Sequence, residues 1–565
     1  MAYRWKAHPK LNDQKVAQLA TLINVSPTIA TLLLQRGIET FDQAKKFFRP
    51  QLTDLYDPFL MKDMDKAVAR IQGALDIRER IMIYGDYDVD GTTSVSTVFS
   101  FFRKMTDNIE YYIPDRYKEG YGVSKIGIDH AKAAGVTLII ALDCGTRSIE
   151  LIQYAREIGI DFIVCDHHLP GDELPVAAAL LNPKRRDCQY PYKELSGCGI
   201  GFKLIQAFAQ VSDIPFEEVA RYLDLVAVST CSDIVEIMDE NRVLVYYGLK
   251  KLNEDPCIGL QALLQSYQIK QEYEVSDIVF GIGPKINAAG RIADAKSSVK
   301  LLIEEDFHHA LYLAKTLVEN NTERKDIDND ITKEALDILE TSETLKLRKS
   351  TVLYSEKWHK GVIGIVASRL IETYYKPTII FSEVNGMLTG SARSVKDFDV
   401  HDAIGACGDL VVQYGGHKYA AGLTIKKESF DAFTEKFEEV VGLNSTEELL
   451  TPEIAYDLEI DFSEINQKFF TILDQFKPHG PGNMTPIFRT NRLSDAGSRI
   501  VKEKHLKLIA TQKGTKFDGI GFNMSDVFPV ISKNSGFDVC YSIEMNEFKG
   551  VRNLQLKIRD IRESV

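Results

Sequence analysis

Apolar residues fall along this chain in two alternating patterns. Short runs rich in β-branched side chains, Ile81 to Tyr84, Ile109 to Ile113, Val136 to Leu142 and Asp161 to Cys165, read as buried strands. Between them the apolar positions take helical spacing, as at Val95, Val98, Phe99 and Phe102 and from Ile149 to Ile158. This alternation predicts an α/β domain with a doubly wound parallel sheet over 61–245. Short helices, Lys15 to Leu22, Thr28 to Arg36 and Thr40 to Phe48, predict an N-terminal helical cap over 1–60. The stretch 246–345 reads as a helical connector. Its longest helix runs from Phe307 to Leu339, with Leu311, Leu313, Ala314 and Leu317 recurring at helical spacing. A second, smaller α/β domain over 346–445 follows from strands at Ser350–Ser355, Pro377–Phe381 and Leu388–Arg393 and a helix at Val362–Tyr374. In 446–565 the pattern turns to β. A hairpin is expected from His505–Ala510 and Lys516–Phe522 around the turn Gln512–Thr515, and Val551–Ile561 alternates apolar with basic residues. A small OB-type β-barrel fits that region.

Composition changes this picture little. A chain of 565 residues exceeds one core, so several domains are expected. Its 44% hydrophobic and 26% charged content is that of a globular protein. No apolar run approaches a membrane span, and the start, Met1-Ala-Tyr-Arg-Trp-Lys6, is too polar for a signal peptide. The eight cysteines form no C-x-x-C pair, and Cys165 and Cys540 lie in apolar strands. A cytoplasmic, reducing setting and no membrane are therefore expected. The net charge of −13 argues against nucleic acid only if read globally. Region 491–565 carries 13 Lys and Arg against 9 Asp and Glu, and local patches are what bind phosphate backbones.

The candidate chemistry sits at the strand ends. Asp86, Asp88 and Asp90 follow the first strand, Asp143 follows the third, and Asp166-His167-His168 follow the fourth. Any one of these alone reads as a loop whose acids cap the next helix. Three together, delivered to one edge of one sheet, read as a site for hard divalent ions such as Mg²⁺ or Mn²⁺. Asp233, after an apolar helix from Tyr222, is a fourth candidate.

Other stretches suit nucleic acid. The loop Arg116–Gly122 mixes basic, aromatic and glycine residues, with Arg116 for phosphate and Tyr121 for base stacking. Gly283–Arg291 reads as a glycine-rich turn that cradles phosphate with Lys285 and Arg291. Gly415-Gly416-His417, read as following a helix that ends near Tyr414, lets the backbone approach a ligand. The basic cluster Asn182–Arg186 on its own reads as a solvated turn.

At these residues the chain resembles the DHH phosphoesterases. Asp86-x-Asp88-x-Asp90-Gly91, Asp143-Cys-Gly-Thr146 and Asp166-His167-His168 are similar to the first three motifs of that superfamily. Gly415-Gly416-His417 with Ala420-Ala421-Gly422 is similar to the signature of the associated DHHA1 domain. Pro114–Gly122, Gly283–Arg291 and Gly390–Ser394 narrow the resemblance to its bacterial single-strand-specific exonucleases. The resemblance implies a DHH domain, a DHHA1 domain and an OB-type domain that together degrade single-stranded DNA from the 5′ end to mononucleotides, in repair and recombination. It implies a two-metal site for Mn²⁺ or Mg²⁺. Asp88, Asp90, Asp143, His167 and Asp233 would be ligands, with Asp143 bridging. Asp86, Asp166 and His168 would be catalytic or orienting groups, and His168 would contact the phosphate or leaving group. Ser391 and Arg393 join Arg116, Tyr121, Lys285, Arg291, Gly415, Gly416 and His417 as nucleic-acid contacts. The departure is Tyr84, which stands where related sites often carry His. A monomer that meets a helicase and a single-strand-binding protein is expected. Two alternatives remain at this stage: a DHH phosphodiesterase for oligoribonucleotides or cyclic dinucleotides, and a non-catalytic replication accessory protein.

Overall fold

The computed structural model describes residues 3–267, 269–532, 536–548 and 550–564. The chain forms two compact units, Asp13–Thr322 with Ile472–Thr485, and Met1–Asn12 with Glu323–Thr471 and Pro486–Val565.

The first unit is built on a sheet of β1 (Ile81–Gly85), β2 (Ile109–Tyr112), β3 (Leu138–Leu142), β4 (Asp161–Cys165) and β5 (Ala179–Leu181). The strands lie in the order β2-β1-β3-β4-β5 and are all parallel. A parallel sheet covered on both faces needs apolar residues at every position, because successive side chains point to opposite sides. Ile81, Ile83, Ile140, Leu142 and Ile163 join one core; Met82, Tyr84, Ile139, Ala141, Phe162 and Val164 join another. Register aligns Gly85 with Leu142 and Leu142 with Cys165. The residues that follow, Asp86, Asp143 and Asp166, therefore leave the sheet side by side. Helices α1 (Val89–Phe102), α2 (Gly197–Val211) and α3 (Leu223–Ser232) are largely buried, and α4 (Asp239–Glu254) lies beside α3.

Lys203 on α2 and Glu240 on α4 form a wholly buried ion pair at 3.0 Å. Lys203 also donates to the Tyr56 carbonyl at 2.6 Å, and Glu240 accepts from the Tyr56 N–H at 3.1 Å and the Tyr190 hydroxyl at 2.7 Å. Arg242 is buried too. It donates to the carbonyls of Phe47, Gln475, Phe476, Lys477 and Pro478. These bonds hold Ile472–Thr485, a segment read from sequence as part of the β-domain, within the first unit.

Two local readings are corrected here. Gly283–Arg291 is not a turn: α5 (Gly283–Ile292) is a helix continuing from the π-helical segment Ile278–Ile282. Pro284, which has no N–H to donate, falls where the π-helical segment passes into α5. Gly290 serves close approach, since a Cβ there would stand 2.8 Å from the Tyr87 carbonyl oxygen. The N-terminal cap also begins with a strand, Arg4–Ala7, which pairs in parallel with Glu453–Tyr456 in the second unit. Helices Asp13–Ile23, Pro27–Leu34 and Phe41–Phe48 follow as expected. The long helix α6 (Phe307–Thr341) contributes residues to both units.

The second unit holds a mixed sheet of β6 (Thr351–Ser355), β7 (Thr378–Val384), β8 (Met387–Arg393), β9 (Val411–His417) and β10 (Ala420–Lys426). The order is β9-β10-β8-β7-β6, with only β6 and β7 parallel. Gly415-Gly416-His417 thus ends a strand rather than following a helix. At Gly416 (φ +143°) a Cβ would come within 2.4 Å of the Ala420 carbonyl oxygen, so the β9–β10 hairpin requires glycine there. The C-terminal strands are β11 (Phe488–Asp495), β12 (His505–Gln512), β13 (Thr515–Gly521), β14 (Phe537–Phe548) and β15 (Val551–Glu563). The pairings β11-β14-β15-β13-β12 close when β12 pairs with β11, which makes a barrel, with the short strands Leu458–Glu459 and Arg499–Val501 added beside β11 and β12. No single helix among the described residues is long and apolar enough to cross a membrane.

Candidate metal centre and nucleic-acid contacts

The carboxyl end of the five-stranded sheet gathers the expected acids. His167 Nε2 stands 3.3 Å from Asp143 Oδ1, 3.5 Å from Asp233 Oδ2 and 3.7 Å from Asp90 Oδ2. Two groups have ligand atoms within 4.8 Å of one another: Asp143 with His167 and His168, and Asp90 with His167 and Asp233. Asp233 arrives at the C-cap of α3, and Asp143 holds a left-handed backbone (φ +58°) that a β-strand end does not require. Such backbone strain in a non-glycine residue concentrates at functional sites.

Each acid differs in how far the chain satisfies it. Asp88 caps α1 through Gly91 N–H at 3.0 Å, so the capping role is real but engages one oxygen. Asp90 accepts from Gly197 N–H (2.7 Å), Cys198 N–H (2.8 Å) and the Ser229 hydroxyl (2.6 Å). Asp166 accepts from Thr146 N–H (2.9 Å) and from His168 through its N–H (3.1 Å), and lies 2.7 Å from His168 Nδ1. It therefore orients the His168 ring. Asp86 Oδ2, Asp143 Oδ1 and His167 Nδ1 are buried with no hydrogen-bond partner among the described residues.

Electrostatics point the same way. Burial and then the Asp88 charge push Asp86 well above the carboxylate range; burial and Asp90 raise Asp88. Burial and the charges of Asp90, Asp88 and Asp233 push Asp143 well up, and burial with Asp90 and Asp88 pushes Asp233 up to about 9. Burial lowers His167. Asp166 goes the other way. Burial alone would raise it, yet the His168 hydrogen bond and charge hold it far below the usual range, and His168 is raised in return. Unmatched oxygens, and carboxylates raised by one another's charge, favour positive charge here. Carboxylate oxygens fit Mn²⁺ or Mg²⁺, and the imidazole among them favours Mn²⁺ of the two.

The Arg116–Gly122 loop covers this end of the sheet. The Tyr121 hydroxyl lies 2.9 Å from His168 Nε2 and donates to the Asp143 carbonyl at 3.3 Å, and the Arg116 guanidinium stacks 4.9 Å from the Tyr87 ring. Tyr84 is fully buried and donates to the Gly122 carbonyl at 3.0 Å, so it supports this loop from the core. Lys285 is turned inward at 2% exposure; its ammonium donates to the Gly281 carbonyl and sits 3.3 Å from the Tyr267 ring centroid. Arg291, at the end of the same helix, is partly exposed. In the second unit, register places Arg393 opposite Ala420, Ser391 opposite Gly422, and Gly415–His417 on the neighbouring strand. Arg393 donates to the Ser391 hydroxyl at 3.1 Å.

Three supports were not foreseen. The N-terminus of α2 grips Asp90 through Gly197 and Cys198; Ser229, one turn before Asp233, does the same. Asn287 Oδ1 accepts from Val89 N–H at 3.1 Å, tying α5 to the acidic turn. The run Ser196-Gly-Cys-Gly199 carried a readable signal, a capping Ser followed by glycines at a helix start.

Comparison with known proteins gives the family and the domains. Family models match for the DHH family, N-terminal domain, over 80–230, the DHHA1 domain over 348–443 and the RecJ OB domain over 456–560. A single-stranded-DNA-specific exonuclease RecJ of Bacillus subtilis is 34% identical over 99% of this chain and 70% of its own length. The chain belongs to the RecJ family. The RecJ of Salmonella typhimurium is likewise 34% identical, over 98% of this chain and 99% of its own. The crystal structure of Thermus thermophilus RecJ in complex with Mn²⁺ matches with TM-score 0.85 and 25% identity, covering 100% of this chain and 80% of that one. The parallel-sheet DHH domain, the smaller DHHA1 domain and the OB barrel are thus those of RecJ proteins.

Proposed function

We propose that this chain is a metal-dependent exonuclease that hydrolyses single-stranded DNA from its 5′ end and releases 5′-mononucleotides. The observation that carries the chemistry is the cluster of acids around His167, in which burial and neighbouring charge push Asp143 and Asp233 up, and buried oxygens of Asp86 and Asp143 have no hydrogen-bond partner among the described residues. A decayed, non-catalytic scaffold would not keep that set.

Asp88 and Asp90 would hold opposite ions, Asp143 both, and His167 and Asp233 would complete one coordination shell. Divalent ions bound there would neutralise the acids, polarise phosphate oxygens and ready a water for in-line attack. Asp166 fixes the His168 ring, and the hydrogen bond to Tyr121 aims the other ring nitrogen. His168 is then oriented to meet the scissile phosphate or the leaving oxygen. Asp90 keeps its position through the N-terminus of α2, so an ion would meet an oxygen that is already placed. In the DHHA1-type sheet, Arg393 would hold the terminal 5′ phosphate, since a planar guanidinium pairs bidentately with phosphate oxygens. Lys285 would contribute by fixing α5, and Arg116, Arg291 and His417 by contacting the strand. The OB barrel would hold single-stranded DNA by stacking and phosphate contacts. A helicase and a single-strand-binding protein would supply and present the strand to a monomeric enzyme in the cytoplasm, where eight unpaired cysteines stay reduced.

The test is hydrolysis with Mn²⁺ of single-stranded DNA labelled at either end, beside duplex DNA and a dinucleotide. The reading expects labelled mononucleotide at once from the 5′ label and only late from the 3′ label, with duplex inert. Preference for the dinucleotide would replace it with the small-substrate reading. Arg393→Ala should slow cleavage of 5′-phosphorylated strands more than 5′-hydroxyl strands; equal loss would move Arg393 away from the end.

A further inference from the structure

A basic pocket backs onto the catalytic turn and has no part in the reading above. Arg147, residues 169–172, Leu174 and residues 184–187 line a cavity of about 470 Å³, so four cations share it with two acids, Asp172 and Asp187. Part of its wall is the cluster Asn182–Arg186, which sequence alone reads as a solvated turn.

The wall and the catalytic turn share their supports. Leu169 directly follows His168, and Arg147 directly follows Thr146, whose N–H binds Asp166. Arg147 Nε donates to the Leu169 carbonyl at 2.8 Å. Buried Asn182 donates to the His168 carbonyl at 2.9 Å and the Thr146 hydroxyl at 3.0 Å, and accepts from Lys184 N–H at 2.9 Å. The cavity therefore opens beside the chemistry and lies within the same unit.

Its charges are unevenly committed. Arg185 is spent on Asp63, Asp187 and the Leu180 carbonyl, and Lys184 pairs with Glu194 at 3.0 Å. Arg147 is exposed and engages one of its five donors in the bond to Leu169. The Arg186 side chain is 97% exposed and reaches Asp172 only at 3.9 Å. Two guanidiniums thus share the lining with the apolar residues Leu169, Pro170 and Leu174. Guanidiniums select phosphate, and a small apolar surface beside them suits a nucleobase. A cavity this size holds one nucleotide, not a run of strand.

We propose that this cavity binds a nucleoside 5′-monophosphate, the product of the reaction, with its phosphate on Arg147 and Arg186 and its base against Leu169, Pro170 and Leu174. The inference rests on the exonuclease reading for the identity of the product. A 5′-phosphorylated strand end presents the same phosphate monoester, so the test separates the two sources.

The probe is 2′-deoxyadenosine 5′-monophosphate, with deoxyadenosine as control, titrated into the full chain in EDTA. Binding should require the phosphate and should weaken about tenfold in Arg147→Gln and in Arg186→Glu. Arg186 is so exposed that its replacement does not threaten the fold. With Mn²⁺ and single-stranded DNA, initial rates and KM should stay near wild type in Arg186→Glu, while inhibition by added monophosphate should weaken by a similar factor in both variants. Monophosphate binding in EDTA that is absent, or unchanged in both variants, overturns the proposal. A raised KM for DNA with unchanged product inhibition overturns it in favour of the strand end. Failure of the exonuclease reading would instead show as no DNA hydrolysis by wild type, whatever the monophosphate does.

Discussion

Two buried polar clusters in the first unit show the difference between structure and site. Around Glu240 every charge has an answer within the chain: both carboxylate oxygens accept hydrogen bonds, and Lys203 supplies the opposite charge. Around His167 several acids crowd together, and oxygens of Asp86 and Asp143 find no donor among the described residues. Both clusters hold buried charge, which is costly in both. One is balanced by its own residues, the other awaits cations. Incomplete satisfaction, more than the mere presence of acids, marks the site.

The largest effect that would break this comparison is on catalysis. Asp143→Ala should reduce Mn²⁺-dependent hydrolysis on the order of 10³-fold, because a carboxylate shared by two ions cannot be replaced by water without loosening both. Binding of single-stranded DNA should persist. Retention of a tenth of wild-type turnover would remove Asp143 from the bridging position.

The matched cluster should behave oppositely. Glu240→Ala should destabilise the fold by about 3–5 kcal/mol, since it strands a buried ammonium, yet leave turnover of the folded fraction intact at low temperature. Denaturant melts read the first quantity and initial rates the second. A wild-type melt with lost turnover would mean that the Glu240 cluster serves the chemistry.

A smaller effect sharpens the picture at His479, in the segment Ile472–Thr485. Burial, with Arg36, Arg242 and Lys477 nearby, lowers this imidazole from its ordinary 6.5 to about 4. The unfolded chain takes up the proton near pH 6.5 and the folded chain only near 4, so unfolding binds protons in that window. Stability is full above pH 6.5 and should fall on the order of 2 kcal/mol as pH drops toward 4. His479→Gln should flatten that part of the stability–pH curve; an unchanged slope would assign it to other groups.

Much of this was legible in the sequence because it rests on local patterns. Continuous apolar runs announced strands covered on both faces, and acids directly after them announced the strand ends. What was not legible depends on contacts distant in sequence. Gly283–Arg291 looked like a turn because glycine is a turn residue, but Gly290 is there so that a helix can approach Tyr87. Lys285 looked like a phosphate contact until packing turned it toward Gly281. The grip of Gly197, Cys198 and Ser229 on Asp90 joins residues more than 100 positions apart, beyond the reach of periodicity. Ile472–Thr485 belongs to the first unit because Arg242 gathers its carbonyls, a demand that no propensity encodes.

The most direct measurement is a paired thermal and denaturant melt of metal-free Asp143→Asn and Glu240→Gln at pH 7, repeated with Mn²⁺. Burial and neighbouring acids raise Asp143 well above the carboxylate range, so the metal-free fold loses stability as pH rises above the unfolded value near 3.8. Asparagine removes that cost. Asp143→Asn should therefore be more stable than wild type without metal, and should lose most of the stabilisation that Mn²⁺ gives wild type. Glu240→Gln should be less stable than wild type and keep its full response to Mn²⁺. If Asp143→Asn is destabilised without metal as Glu240→Gln is, the acids around His167 are satisfied by the chain itself and are not a metal centre held open for cations.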